Sequence, residues 1–308
     1  MNPAAIWKKT IEPARGSSSL SPSYSLTRPM IRLFKTSDGP VAEHDEKFYK
    51  LNTNADWDTL INSEYLYQKI SDLLESCTPS EEAATAAKSP LAPVGSQEIW
   101  AAGVTYFSSR LARMEESKDA GGGDFYSRVY EADRPELFYK SSYVRVRGPF
   151  EPVRIRQDSS WDVPEPEATL FISSNGIIQG YTIGNDMSSR SIEGVNPLYL
   201  PQAKNYDGAA SIGPCLLLLP EPISKDTEIH LAILREGKVA FAGDTSLNQM
   251  KRRFEDLVEY LYRETSFPTG AFLMTGTGIV PGTDFTLQSG DEVCISIDNI
   301  GTLQNPVE

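Results

Sequence analysis

Residues 161–186 read WDVPEPEATLFISSNGIIQGYTIGND, and this stretch carries most of the information about the fold. Its two apolar runs, 168–172 and 177–183, are rich in the β-branched and aromatic residues that favour strands. They flank the dipeptide Asn175-Gly176, which suits the type I′ turn of a tight hairpin. The stretch therefore predicts two antiparallel strands joined by a short turn.

Three carboxylates stand at the open end of this predicted hairpin. Glu165 and Glu167 are two residues apart, so in an extended chain they point to the same face. Asp186 ends the second strand, and the hairpin can return it to the glutamates. Pro166 lacks an N–H, which favours an edge strand or a strand entrance over a central strand. A Glu-x-Glu pair alone is typical of an exposed acidic strand end, but three converging carboxylates suit Mg²⁺ or Mn²⁺.

Further elements lie on either side of the hairpin. Apolar residues at helical spacing predict a helix over 56–74 and a second one beginning at Ser246. The second helix would bury the stripe Met250, Phe254, Leu257, Val258 and Leu261. Short apolar runs predict strands at 31–34, 216–219, 229–234, 239–242 and 293–297. Mixed helices and strands, with strands dominating the second part, predict an α+β fold.

The chain divides into three predicted units. A Ser- and Pro-rich stretch, 1–30, predicts a flexible tail. Residues 31–95 predict a small N-terminal domain, with a linker rich in Pro, Ser, Glu and Ala over 78–94. Residues 96–308 predict the larger, catalytic domain.

Bulk composition excludes several classes of function. The 308 residues carry a formal net charge of −13, which repels nucleic acid and anionic lipid at long range. The basic run Lys251-Arg252-Arg253 is followed at once by acidic residues, which indicates the solvated face of a helix. No stretch approaches the roughly 20 apolar residues that span a bilayer. Three scattered cysteines and no secretory signal favour a reducing compartment, so we expect a cytoplasmic protein.

Few residues are candidates for moving protons. The two histidines, His44 and His230, lie in a charged loop and at a strand start, which argues against a Ser-His-Asp triad. Lys204 and Glu136 are the remaining candidates, although each is equally compatible with an exposed charged residue. Thr275-Gly-Thr-Gly follows an apolar strand and predicts either a turn or a set of donors for a substrate carboxylate.

Eight landmarks in this order resemble the fumarylacetoacetate hydrolase superfamily over residues 98–307. They are Gly103-Val-Thr-Tyr106, Arg134-Pro-Glu-Leu-Phe-Tyr-Lys140, Glu165-Pro-Glu167, Gly184-Asn-Asp186, Lys204, Thr275-Gly-Thr277, Gly290-Asp291 and Asn299-Ile-Gly301. The resemblance implies a mixed β-sandwich roll after a smaller N-terminal α/β domain. It also implies a small-molecule 2-keto acid substrate, a homodimer or homotetramer, and Mg²⁺ or Mn²⁺ held by Glu165, Glu167 and Asp186.

One departure from the superfamily narrows the expected chemistry. Hydrolytic members carry a histidine shortly after a Gly-x-Asn-Tyr segment, whereas here Ser108 and Ser109 follow Gly103-Val-Thr-Tyr. Other segments are similar to one branch, the dehydratases of 2-keto-3-deoxy sugar acids. That branch implies conversion of 2-keto-3-deoxy-D-arabinonate to 2,5-dioxopentanoate in pentose catabolism. The catalytic residues would be Lys204 and Glu136, and the substrate contacts would be Tyr106, Ser108, Lys140, Gln202 and Thr277.

Three alternatives stay open from the sequence. A hydrolase of acylpyruvates or 2,4-diketo acids could use the same metal site, with Glu115 or Glu116 as the base that activates water. A decarboxylase of a keto acid would also fit. A binding protein that kept the fold fits less well, because three buried carboxylates without a cation are costly.

Overall fold

The structure, a computed structural model, describes residues 30–109 and 123–308. The strands are β1 Ile31–Thr36, β2 Gly39–His44, β3 Lys47–Lys50, β4 Glu98–Gly103, β5 Glu136–Ser141, β6 Val146–Arg147, β7 Asp162–Val163, β8 Pro166–Ile172, β9 Ile178–Asp186, β10 Ser188–Ser189, β11 Ala210–Leu218, β12 Glu228–Arg235, β13 Lys238–Ser246, β14 Ala271–Met274, β15 Glu292–Ile297 and β16 Gly301–Pro306. The α-helices are α1 Trp57–Ile61, α2 Leu66–Glu75, α3 Glu81–Ala86, α4 Gly123–Glu131, α5 Arg190–Val195, α6 Leu200–Lys204 and α7 Phe254–Tyr262.

A large mixed sheet forms the centre of the molecule, in the order β3-β2-β1-β11-β9-β8-β14-β4-β5, with β6 beside β11. The predicted hairpin lies at the centre of this sheet, where β8 and β9 pair antiparallel on either side of the Asn175-Gly176 turn. The expectation that Pro166 keeps its strand away from the sheet centre is wrong, because β8 lies between β9 and β14. Pro166 is tolerated because it is the first residue of β8, and β14 pairs only with residues from Thr169 onward.

A second sheet, ordered β13-β12-β15-β16, packs against one face of the large sheet. Both sheets contribute fully buried aliphatic side chains to the core between them. Those from the large sheet include Leu170, Ile172 and Ile183, and those from the small sheet include Ile229, Leu231, Val293 and Ile295. This face-to-face packing is the predicted sandwich, and the α+β class is confirmed.

The other face of the large sheet is covered by α1 and α2. The sequence predicted one helix over 56–74, but the chain breaks it into two. The first helix begins at its cap Asp56, whose side chain accepts from Thr59 N, and ends at Asn62. The second begins after Tyr65, whose φ of 56° is left-handed and cannot continue a helix. The break turns both apolar faces onto the sheet through Leu60, Ile61, Leu66 and Ile70.

The helix predicted to begin at Ser246 begins eight residues later. β13 continues to Ser246, which pairs with Glu228, and the helix α7 opens at Phe254. Met250 has the helical spacing of the apolar residues in α7, but it lies before that helix. The pairing of β13 with β12 keeps the chain extended as far as Ser246. The interpretation of Lys251 and Arg252 as a solvated helix face is also wrong. Both side chains donate to backbone carbonyls at the C-terminal end of α4.

The first predicted domain shares its sheet with the second. β1 pairs antiparallel with β11, with Ile31 opposite Leu218. The predicted linker over 78–94 contains the short helix α3, capped by Ser80. The boundary near residue 95 stays a prediction, and the predicted tail lies outside the described residues except for Met30. None of the helices in the described ranges has the length and apolar character needed to span a membrane.

Candidate metal centre and active site

The three predicted carboxylates meet where β8 and β9 begin and end. Glu165 and Asp186 exchange both backbone hydrogen bonds, at 3.2 and 3.0 Å, so they are direct partners across the strand pair. Glu167 follows on the same face. One oxygen from each of the three lies within 4.8 Å of the others, and all three side chains are buried. The convergence predicted from the hairpin is therefore present.

Gly184 lies beside the cluster. It pairs with Glu167 across the strands, and a Cβ at position 184 would lie 2.3 Å from Thr169 Oγ1. A larger residue here would therefore displace the Thr169 or Met274 side chain next to Glu167.

Two buried lysines contact two of the three carboxylates, Glu165 and Asp186. Lys204 ends α6, and its Nζ lies 2.7 Å from Glu165 Oε2, 3.2 Å from Asp186 Oδ2 and 2.6 Å from Ser188 Oγ. Lys140, on β5, lies 2.5 Å from Asp186 Oδ1, and its Nζ also donates to the Met187 and Lys204 carbonyls. Each ammonium therefore makes three short contacts with acceptors, the number of its N–H donors.

The surroundings shift the titration of these groups in opposite directions. Burial, and then the charges of Asp186 and Glu165, raise the pKa of Glu167 well above the ordinary value. Burial also acts to raise the pKa of Asp186, but Lys140 and Lys204 together outweigh it and lower that pKa. Burial lowers the pKa of Lys140. A further cation beside Glu167 would therefore favour the ionised form of that carboxylate.

The donor set fits a hard divalent cation. Three carboxylate oxygens in one buried cluster are the ligand type that Mg²⁺ and Mn²⁺ prefer. Glu167 already accepts from Gly276 N at 2.5 Å, which fixes one of its oxygens. Glu165, Glu167 and Asp186 are thus the described residues that would hold the ion.

A small cavity opens beside the cluster. Its lining consists of Ala102, Gly103, Val104, Ser109, Phe138, Glu165, Asp186, Arg190, Lys204, Gly276 and Thr277. Gly276 has a φ of 96°, and a Cβ there would lie 2.0 Å from Thr105 Oγ1, so only glycine fits. Larger grooves lie elsewhere on the surface, but they lack this cluster.

Of the two residues predicted to move protons, Lys204 lines the cavity and Glu136 does not. Glu136 starts β5 opposite Gly103, and a Cβ on that glycine would be 2.1 Å from Glu136 Oε2. The Glu136 carboxylate therefore lies over Gly103, which does line the cavity. Phe138, two residues along β5, lines the cavity, with its ring centroid 5.8 Å from Lys204 Nζ.

Of the five predicted substrate contacts, Thr277 and Tyr106 lie at or near the cavity, and the other three do not line it. Thr277 lines the cavity, and Tyr106 is buried nearby, where burial and then Glu167 raise the pKa of its hydroxyl. Lys140 is behind Asp186, with its donors directed to protein atoms. Ser108 is exposed, and its Oγ donates to Gly278 O, so Ser109 is the serine on the cavity. Gln202 is exposed on α6. The substrate roles of these residues stay predictions.

Sequence reasoning missed Arg190 and Ser188. Arg190 begins α5 and pairs with Glu165 at 2.6 Å, while Ser188 Oγ accepts from Lys204. Both follow Asp186 closely in Asp186-Met-Ser-Ser-Arg190. The available signal was that both residues lie close in sequence to Asp186, a predicted ligand. Sequence spacing does not predict the direction of side chains where a two-residue strand leads into a helix.

The histidines lie away from the cluster. His44 is the last residue of β2, and its Nδ1 is 3.1 Å from the Met30 carbonyl oxygen. His230 Nδ1 is 2.6 Å from Asp244 Oδ1 on the small sheet. Neither lines the cavity. Glu115 and Glu116, the alternative bases of a hydrolase, lie outside the described residues.

Comparison with known proteins places this arrangement in a family. The family model described as fumarylacetoacetate (FAA) hydrolase C-terminal matches residues 115–308. The chain belongs to the fumarylacetoacetate hydrolase family. A probable 2-keto-3-deoxyxylonate dehydratase of Haloferax volcanii is 49% identical over 217 residues, 70% of this chain and 73% of that protein.

Other members of the fumarylacetoacetate hydrolase family are also similar. A 2-dehydro-3-deoxy-D-arabinonate dehydratase of Saccharolobus solfataricus is 44% identical over 220 residues, 70% of this chain and 73% of that protein. A solved structure of 2-keto-3-deoxy-D-arabinonate dehydratase complexed with magnesium and 2,5-dioxopentanoate aligns with a TM-score of 0.76 at 33% identity. It covers 91% of this chain and 98% of that one.

Proposed function

We propose that this protein is a magnesium-dependent dehydratase that converts 2-keto-3-deoxy-D-arabinonate to 2,5-dioxopentanoate in pentose catabolism. The observation that carries the proposal is the buried Glu165, Glu167 and Asp186 cluster beside Lys204. It is supported by the identity of 44% over 220 residues to a 2-dehydro-3-deoxy-D-arabinonate dehydratase and of 49% over 217 residues to a probable 2-keto-3-deoxyxylonate dehydratase. The names of those relatives refer to arabinonate and xylonate. In the 2-keto-3-deoxy acid, C2 is a ketone and C3 is a methylene, so C4 is the one stereocentre left. D-arabinonate and D-xylonate have the same configuration at C4, and they therefore give the same 2-keto-3-deoxy acid.

The reaction removes one water molecule. C3 loses a proton, and the C4 hydroxyl takes up a proton and leaves, which gives an enone. A tautomerisation then moves two protons from the C5 carbinol group to C3 and C4 and leaves an aldehyde at C5. Bound Mg²⁺ would supply Lewis-acid stabilisation of the negative charge that develops on the 2-keto oxygen.

We assign these proton transfers to two residues of the chain. Lys204 lines the cavity, and its Nζ, which donates to Glu165, Asp186 and Ser188, would deliver a proton to the departing C4 hydroxyl. Glu136, whose carboxylate lies over Gly103, would accept the C3 proton. Phe138, with Ala102 and Val104, gives the cavity its apolar side chains.

The first experiment measures product. Purified protein is incubated with 2-keto-3-deoxy-D-arabinonate and Mg²⁺ in D₂O, with an EDTA control, and followed by NMR. We expect metal-dependent formation of 2,5-dioxopentanoate. No turnover of that acid, with release of pyruvate from an acylpyruvate, would instead identify the hydrolase that the sequence left open. Evolved carbon dioxide would identify a decarboxylase.

Two variants separate the proton-transfer roles. Glu136→Gln should lose both deuterium exchange at C3 and water loss, because each needs the base. Lys204→Met should retain exchange but lose water loss by about 100-fold or more, the typical contribution of a general acid. The exposed Glu264→Gln and Lys225→Met serve as matched controls. If both site variants keep full turnover, the assignment is wrong.

We propose further that the protein acts in the cytoplasm as a homodimer or homotetramer. Three free cysteines far apart in the sequence support a reducing compartment. Light scattering on the purified chain tests the assembly, and a mass equal to one chain would contradict it.

A further inference from the structure

A buried arginine holds one of the three carboxylates. Arg190 is 2% exposed, and its Nη2 donates to Glu165 Oε1 at 2.6 Å. Lys204 holds the other oxygen of Glu165, at 2.7 Å. Each oxygen of Glu165 therefore accepts a hydrogen bond from a cationic side chain. Arg190 also lines the cavity.

The two cationic side chains bind Glu165 in different ways. A guanidinium stays protonated in proteins, and its planar fork imposes a direction on the carboxylate that it binds. A lysine ammonium is a point charge on a flexible stem. Arg190 can therefore fix the direction of the one Glu165 oxygen that it binds through Nη2, whereas the Lys204 ammonium is shared among three acceptors.

The position of Arg190 in the fold makes that direction rigid. It is the first residue of α5, four residues after Asp186 and immediately after β10. β10 pairs with β7, whose Val163 is two residues before Glu165. Both ends of the Arg190–Glu165 contact are thus fixed by the same small pair of strands.

We propose that Arg190 is a positioning residue that sets the affinity of the centre for its divalent cation by holding Glu165 in its ligating orientation. This inference rests on the proposed metal site and deepens it. Outer contacts of this kind typically change metal affinity by about 10–100-fold when they are removed. Arg190 acts through Glu165, so its loss should weaken metal binding without removing a group that the reaction itself needs.

The test measures metal binding without substrate. Mn²⁺ binding is followed by electron paramagnetic resonance for the wild type, Arg190→Met and Arg190→Lys, with Arg32→Met as the matched control. Arg32 also pairs with a glutamate, Glu43, at 2.5 Å, but on the outer strands β1 and β2. We expect Kd to rise at least tenfold for Arg190→Met, to rise less for Arg190→Lys, and to stay unchanged for Arg32→Met.

A second measurement distinguishes positioning from a direct role. The kcat of Arg190→Met should recover towards the wild-type value at saturating Mg²⁺, because only metal occupancy is lost. A wild-type Mn²⁺ affinity in either folded Arg190 variant, or a kcat that Mg²⁺ does not restore, would overturn the proposal. If Arg190→Met fails to fold, the Arg190→Lys result decides. Because binding is measured without substrate, a wild type that binds Mn²⁺ but does not turn over would refute only the proposed reaction.

Discussion

At the scale of single residues, the three carboxylates of the centre are not equivalent. Glu165 and Asp186 each contact ammonium groups, whereas Glu167 accepts a hydrogen bond from the Gly276 backbone. The pKa of Glu167 is raised by burial and by its two acidic neighbours. Sequence spacing predicted that these three residues meet, but it could not rank them, since the lysines that distinguish them come from β5 and α6.

The first prediction concerns Glu167 and pH. Because its folded-state pKa lies above the ordinary value, keeping it ionised at neutral pH costs stability in the metal-free protein. Glu167→Gln should therefore raise the metal-free melting temperature at pH 7, by about 2–4 °C per kcal/mol recovered. The same variant should lose most of the stabilisation that Mg²⁺ gives the wild type.

Calorimetry from pH 5 to pH 8 measures both effects. In the wild type, the Mg²⁺-induced rise in melting temperature should increase with pH, as Glu167 loses its proton and becomes a ligand. An equal rise at pH 5 and pH 8 would contradict this role for Glu167.

At the scale of elements, Arg252 joins two segments that the sequence did not connect. Its guanidinium donates to the carbonyls of Val129, Ala132 and Asp133, at 2.9, 2.6 and 2.7 Å. These carbonyls form the end of α4 and the turn that leads to Glu136. The sequence showed a basic run and predicted a solvent-facing helix, because the distance of roughly 120 residues between the partners leaves no local pattern.

The second prediction follows from this contact. Arg252→Ala should loosen the turn before β5 and lower kcat by about tenfold, since a small displacement of a catalytic group has effects of that order or larger. Hydrogen exchange should increase in residues 127–135. The neighbouring Arg253→Ala is the control, because Arg253 pairs with Asp256 on its own helix. Equal exchange and kcat in both variants would show that Arg252 does not position Glu136.

At the scale of the whole molecule, the large sheet is buried on both faces. The sequence predicted the hairpin at its centre and most of its strands, because those signals are local. It did not predict that β1 would extend the sheet of the larger unit, since strand partners far apart in sequence leave no spacing rule. The fully buried aliphatic side chains that residues 31–95 supply include six of isoleucine or leucine: Ile31, Leu33, Leu60, Ile61, Leu66 and Ile70.

The third prediction tests the domain boundary. Each of those six side chains contributes about 1.5–3 kcal/mol by burial, so together they contribute on the order of 10 kcal/mol. That sum is comparable to the whole stability of a typical domain. A chain of residues 96–308 alone should therefore be insoluble or lack a cooperative thermal transition, as measured by circular dichroism. Removing only residues 1–29 should leave the transition in place. A cooperative fold for 96–308 alone would support the predicted boundary.

The pairing of Glu165 with Asp186 also bears on which ions the centre can tell apart. Because the two ligands exchange backbone hydrogen bonds, their separation is fixed by the sheet itself. Mg²⁺ requires short, near-octahedral distances, whereas Ca²⁺ takes more oxygens at longer distances. The strands give the two side chains fixed starting points, so the oxygens can adapt to an ion only by rotation of the side chains themselves. Contacts that limit this rotation, such as those of Arg190 and Lys204 with Glu165, are therefore where discrimination between ions of different radius would arise.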